Sequence, residues 1–389
     1  MNLLSCLLGK RCLEGPPPLD LEQSRLVADA WQGLDPHQMW DVHAHLAGVG
    51  DGGSGIWVHP RMQNLGHLSP LSMLMLRLYQ RAGCTHLAPG RQDHAYWQRL
   101  ESLVDAFPPG VKIILLAFDY FYREDGCCDP MAGTFYVPNE WARQLAAKRP
   151  DRFGWMASIH PYDPYWEKKL HLISQWQPGP LAIKWLPQSM GIQPDSARCF
   201  GFYQALAQLN LPLLTHCGDE KATHGDAPAD WNAPSRLAMA LDTGVRVIVA
   251  HCASLGGAKG KQDKMGYFGE FMTMMDNPRW KNLLFGDISA TLLVNRRPEI
   301  LPTLLSRVDL HPRLLYGSDY PLPAACFISV AQQLQRGLIH KKQAEILQQI
   351  LPYNPLLFHF LLVRWLNYQG IGFSPQVFHT DRFFSPFKN

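Results

Sequence analysis

His43 and His45 stand in the run Asp-Val-His-Ala-His at 41–45. On an extended strand alternate side chains share a face, so the two imidazoles project together with Ala44 between them, the spacing at which one cation is held. Read alone, two alternating histidines serve structure as readily as they serve a metal. Further along, however, His216, His251 and Asp319 each close a hydrophobic run, and Lys184 sits near the end of another. A single histidine on an apolar strand is ordinarily a satisfied core residue. Several at one depth on successive strands fit a core poorly, because a buried polar group without a partner costs about 1–3 kcal/mol. Imidazoles with a carboxylate are a donor set for Zn first, with Mn, Fe or Ni as alternatives. Such an ion lowers the pKa of bound water towards about 7.

Eight short apolar runs, each ending at a polar or glycine-bearing turn, carry these residues: 39–45, 112–118, 153–159, 181–186, 211–216, 245–251, 282–288 and 313–318. Helical spacing appears between them at 140–148, 202–209, 234–242 and 330–338. Eightfold strand–helix alternation predicts an α/β fold, a (β/α)8 TIM barrel. The rival, an open doubly wound sheet, would carry a glycine-rich phosphate loop opening a helix after its first strand, and the glycines at 48–55 do not take that form. In such a barrel the active site forms at the C-terminal ends of the strands, where His43, His45, Lys184, His216, His251 and Asp319 fall. Asp119 and His160 follow the second and third strands. Cys217 and Cys252 adjoin two of the histidines, so alternation turns them towards the helices.

With 389 residues, 47% of them hydrophobic, the chain has material for one elaborated domain. The expected division is an N-terminal extension at 1–38, the barrel at 39–365 and a C-terminal tail at 366–389. An insertion at 46–110 follows the first strand, far longer than an ordinary βα loop, and is a candidate lid or substrate wall. Its glycines at 48–55 suit close approach to a ligand or a hinge, and helical spacing returns at 72–81 and 96–107. The tail from Gly370, with five phenylalanines, could pack on this barrel or on a neighbour's in a homo-oligomer. Charge is nearly balanced, 36 basic against 33 acidic residues, which speaks against nucleic acid and for a small-molecule substrate. Nine cysteines without a framework spacing suggest reduced thiols, and the adjacent Cys127 and Cys128 form no Cys-x-x-Cys pair. The first apolar stretch is short and broken by Lys10 and Arg11, and the segment around 356–366 is interrupted by His359 and Arg364. Neither predicts membrane insertion, so a cytoplasmic protein is expected.

The segments VHAH at 42–45, AIKWLP at 182–187, PLLTHCG at 212–218, VIVAHC at 247–252, FGDIS at 285–289 and YGSDYP at 316–321 resemble the amidohydrolase superfamily, in its amidohydrolase-related branch of metal-dependent barrel hydrolases and decarboxylases. Tyr353-Asn354-Pro355 resembles the helix start that follows the last strand there, and the resemblance runs from about 39 to about 365. It implies that His43, His45 and Asp319 bind a divalent metal, with Asp319 also handling the proton of the attacking water. His216 matches a ligand in one-metal and two-metal members. His251 matches a ligand to a second ion, or a residue that handles protons and orients substrate. Lys184 could join a centre of two ions as a carbamate, or act as an ammonium towards a carboxylate or oxyanion. Trp57, Arg61, Tyr120, Trp185 and Gln188 are candidate substrate contacts, and Asp287 and Ser289 candidate supports for the ligands. The resemblance implies a hydrolase acting on an amide, lactone or ester through activated water. Its alternative is a lyase that decarboxylates a small carboxylic acid.

Overall fold

The computed structural model describes residues 12–63, 70–219, 223, 225–257, 265–325 and 327–384. Among these, strands form in chain order: β1 (Trp40–His45), β2 (Trp57–Val58), β3 (Lys112–Leu116), β4 (Phe135–Tyr136), β5 (Phe153–Met156), β6 (Ile183–Trp185), β7 (Leu213–His216), β8 (Val247–Ala250), β9 (Leu284–Asp287) and β10 (Leu314–Leu315). β1, β3 and β5 pair in parallel, as do β6 to β10 in sequence order. Parallel bridges Ala157–Ile183 and Ala44–Tyr320 join the two sets. At the second seam the His45 amide donates to the Tyr320 carbonyl and the Asp319 amide to the His43 carbonyl, both at 2.8 Å. The ring therefore closes through eight strands as a TIM barrel. Helices such as Asn139–Lys148 and Phe200–Gln208 cover it outside.

The barrel interior is an apolar stack in which Val42, Ile114, Met156, Leu214, Ile248 and Leu315 meet. Simple alternation from Val42 would turn His43 outwards. A β-bulge prevents this: Asp41 pairs with Ile113 and Ala44 with Leu115, three steps on β1 against two on β3. The buried Asp41 carboxylate holds the bulge by accepting from the His43 amide at 3.1 Å and the Ser318 amide at 2.8 Å. Burial pushes its pKa up to about 7. Positive φ values of 57° at both His251 and Asp319 likewise turn the backbone where those side chains leave their strands.

The insertion packs onto the catalytic end. β2 pairs antiparallel with β4, which lies in the loop after β3. The glycine run is clasped by two carboxylates. Asp93 accepts from the Val49 and Gly50 amides at 2.7 and 3.1 Å, and Asp51 accepts from those of Gln92 and Asp93 at 2.9 and 3.0 Å. Gly50, at φ 84°, takes a turn that side chains resist, and a Cβ on Gly48 would strike the Asp93 carboxylate. Helix Gln92–Asp105 is joined to helix Pro355–Trp365 by Asn354, which caps the latter through the Leu357 amide and donates to the Leu103 carbonyl, both at 2.9 Å.

The tail packs on this barrel's own N-terminal end. Phe383 enters the interior stack, Val377 accepts from the Tyr316 amide at 2.8 Å, and Arg246 lies over the Phe383 ring. Cys12 and Cys84 are disulfide-bonded with Cα atoms 5.7 Å apart, which corrects the expectation of reduced thiols throughout. Cys127 and Cys128 are exposed and free of disulfides, while Cys217 and Cys252 join the outer core facing the helices. Among the described residues, no helix is long and apolar enough to cross a membrane.

Candidate metal centre

At the C-terminal mouth of the barrel the Nε2 atoms of His43 and His45 lie 3.2 Å apart. Asp319 Oδ1 is 3.6 Å from the first and 3.2 Å from the second. That oxygen is buried and takes no hydrogen bond. The three groups can present one ligand atom each to a common point. His216 and His251 follow, with ring centres 5.2 Å apart, and the His251 ring stacks 4.9 Å from that of His43. Lys184, buried on β6, brings Nζ to 3.3 Å from His43 Nε2.

Asp287, at the end of β9, fixes how these rings stand. Its Oδ2 lies 2.9 Å from His43 Nδ1, which assigns the proton to Nδ1 and leaves the Nε2 lone pair facing the cluster. Its Oδ1 accepts from the amides of His251 and Ser289 at 2.9 and 3.1 Å, and the Ser289 hydroxyl reaches His251 Nδ1 at 2.8 Å. Burial lowers the His43 pKa to about 4, helped by the Lys184 ammonium, and burial also depresses His251. Burial opposes ionisation of Asp287 and Asp319, but the surrounding histidines and donors outweigh it and hold both carboxyls low. Neutral imidazoles beside ionised carboxylates are the forms in which these groups bind cations. The donor set, its tautomer and the unbonded Asp319 oxygen therefore fit a divalent ion.

Not every expected residue converges here. Asp119 and His160 are bonded among the connections after β3, β5 and β6: Asp119 accepts from the Tyr120 and His160 amides, and His160 Nε2 bonds the Met190 carbonyl at 2.7 Å. Trp185, next to the inward Lys184, points outward; its indole donates to the Ile159 carbonyl at 2.8 Å and packs against Phe202 and Tyr203. Trp57 and Tyr120 are held in an aromatic cluster with Tyr136, and Arg61 folds back on His59. Gln188 exchanges hydrogen bonds with Asn232. None of these five candidates lines the cavity above the cluster, which measures about 460 Å³. The insertion does line it, through Gly48, Val49, Met62, Met75 and Tyr96. Tyr96 also donates to the His45 carbonyl at 2.6 Å, a support for the ligand strand that only its place in a helical pattern could have suggested.

A closed barrel with its polar cluster at the strand C-termini is the arrangement in which TIM barrels build their active sites. The chain belongs to the amidohydrolase family, in the amidohydrolase-related branch: residues 118–358 match the family model described as Amidohydrolase. Members of the family bind divalent metals. No curated protein matches the chain. Among solved structures it is similar to an uncharacterized TIM-barrel protein from Bordetella bronchiseptica, at 14% identity and TM-score 0.48, covering 80% of this chain and 95% of that one. It is also similar to a probable 2-pyrone-4,6-dicarboxylic acid hydrolase from Acinetobacter baumannii, at 13% identity and TM-score 0.41, covering 82% and 96%. A third is a 2,6-dihydroxybenzoate decarboxylase from Rhizobium, at 15% identity and TM-score 0.36, covering 61% and 84%.

Proposed function

We propose that this protein is a metal-dependent hydrolase that cleaves an amide, lactone or ester bond of a small molecule with water. The observation that carries this reading is the buried Asp319 oxygen facing two imidazole nitrogens at 3.2 and 3.6 Å. His43, His45 and Asp319 would hold the ion, with His216 and His251 beside them. Zinc is the first choice for this donor set. Bound there, the ion supplies Lewis-acid activation of water and of the scissile carbonyl. Asp319 takes the proton from the attacking water and delivers it to the leaving group. His251, fixed through Ser289, orients the reacting carbonyl, and the Lys184 ammonium offsets charge that develops on its oxygen.

A second reading is decarboxylation of a small carboxylic acid, favoured by Lys184: a buried cation beside the cluster suits a substrate carboxylate. The test combines metal analysis with product detection. Protein purified without chelators is analysed for metal per chain beside Lys184→Ala. Both are then incubated with esters, lactones, amides and aromatic or unsaturated acids, following acid release and carbon dioxide release. Two ions falling to one or none in the variant would assign Lys184 as a carbamate bridge and support hydrolysis. One ion in both, with carbon dioxide released, would install the lyase reading. Absence of metal after reconstitution would overturn both.

A further inference from the structure

The cavity above the centre has two unlike ends. Its base is the polar cluster of imidazoles, Lys184 and Asp319. Among the described residues its walls are largely apolar: Met62, Met75 and Leu76 come from the insertion, and Leu293, Val294 and Phe327 from loops after β9 and β10. Four of the polar side chains on those walls are already bonded within the protein. Gln80 donates to Gln92 at 2.8 Å, and Thr85 donates to the same oxygen at 3.4 Å. The Tyr96 hydroxyl is spent on the His45 carbonyl, and Arg296 donates to Ser254 at 2.8 Å and to Asn295 at 2.9 Å. The walls also carry Arg296 and Asp219, charges of opposite sign, so a compact polyacid would meet a carboxylate as well as a guanidinium and would set its remaining charge against aliphatic side chains. An apolar body would instead gain from every carbon it buries. The volume falls in the range of small-molecule sites, roughly 300–1,000 Å³.

We infer that the substrate carries one polar, reactive end and a medium-sized apolar body. It is an alkyl or aryl ester, lactone, amide or monocarboxylic acid rather than a compact polyacid. The reactive end sits at the cluster and the body lies between the insertion and the loops after β9 and β10, so Met75 and Leu293 set specificity. The inference rests on the proposed function only for which end reacts.

The experiment uses straight-chain carboxylates from acetate to octanoate, with citrate as the compact polyacid, and measures binding to the full-length protein as purified by titration calorimetry. Affinity is expected to rise about three- to fourfold per methylene. Leu293→Asp and Met75→Ala should each flatten that rise. An affinity independent of chain length, or citrate bound more tightly than octanoate, overturns the inference whatever the variants do. His43→Ala keeps the two readings apart. If the rise persists there while all probes weaken by a common factor, the cluster anchors the polar end and the walls read the body. If the rise persists and the common factor is absent, the proposed centre fails and the apolar specificity stands. A flat series in a protein that still hydrolyses short substrates with metal leaves the function and removes the inference.

Discussion

The two ends of the barrel interior are made from the same strands and do opposite things. At the N-terminal end Val42, Ile114, Leu214 and Leu315 close on Phe383, a residue brought from the far end of the chain to plug the floor. At the C-terminal end, further along the same runs, the chain delivers His43, Lys184, His216 and Asp319. On β6 and β7 plain alternation suffices, since Ala182 leads to Lys184 and Leu214 to His216 on one face. On β1 and β8 it does not. A bulge lets Val42 and His43 both face inwards, and a left-handed residue turns His251 back after Ala250. The floor is thus repetitive and apolar, whereas the mouth depends on local departures from repetition, each held by a buried carboxylate. Such departures are where a barrel converts shared scaffolding into chemistry.

If the ends are separable in this way, damage to the mouth should abolish chemistry and spare the fold. Asp319→Asn and His43→Ala are expected to lower turnover by about a thousandfold or more, through loss of metal and of the proton-transfer group. Circular dichroism and the thermal midpoint should stay near wild type. Retained activity in both purified variants would remove the centre as assigned, and unfolding of both would show the ends to be coupled.

The reciprocal change is at the floor. Phe383→Ala leaves a hole among interior aliphatic side chains and is expected to cost about 3–5 kcal/mol in chemical denaturation. Turnover per folded molecule and bound metal should be unchanged. A fall in metal content at full folding would mean that the tail tunes the mouth through the strands.

Acid separates fold from site in another manner. His359 lies outside the strand ring, fully buried, with Nδ1 3.2 Å from the Tyr316 hydroxyl, and burial lowers its pKa from 6.5 to about 4. A histidine buried in its neutral form contributes stability that is complete above pH 6.5 and is lost progressively as pH falls towards 4, because the unfolded chain takes the proton first. His359→Gln removes that titration while keeping an acceptor for Tyr316. The variant's unfolding free energy should fall less than the wild type's between pH 7 and 5, by about 1–2 kcal/mol. Equal slopes would assign the acid sensitivity elsewhere.

Much of this was legible in the chain. Eight apolar runs between helical spacings locate the barrel, because a strand buried on both faces needs nothing else, and the order of polar strand ends locates the mouth. The bulge was not legible, since Asp-Val-His-Ala-His reads as clean alternation and only pairing with β3 reveals the extra residue. Trp185 could have been excluded from the substrate contacts, for an inward Lys184 already turns it outward. Trp57 could not, because its partner Tyr120 comes from a different loop, the one after β3 that also supplies Tyr136. The Cys12–Cys84 bond joins residues 72 apart, and no local pattern announces it. Five phenylalanines in the tail signal burial without saying which surface is covered.

The smallest change touches the residue that links the mouth's departures to one another. Asp287 orients His43 through Nδ1, holds the His251 amide where the chain turns, and binds Ser289, yet it offers the cavity no atom. In Asp287→Asn the volume is kept while the carboxylate that polarises His43 becomes an amide. The amide can turn its oxygen to the ring but then presents its nitrogen to amides that also donate. Metal affinity should fall about 10- to 100-fold, the usual cost of losing a carboxylate behind a ligating histidine. Saturating metal should restore most of the turnover, unlike in Asp319→Asn. Competition with a chromogenic chelator measures the first quantity and metal-dependent kinetics the second. If Asp287→Asn binds metal as the wild type does, the bulge and the left-handed turn alone set the histidines, and the mouth is as self-sufficient as the floor.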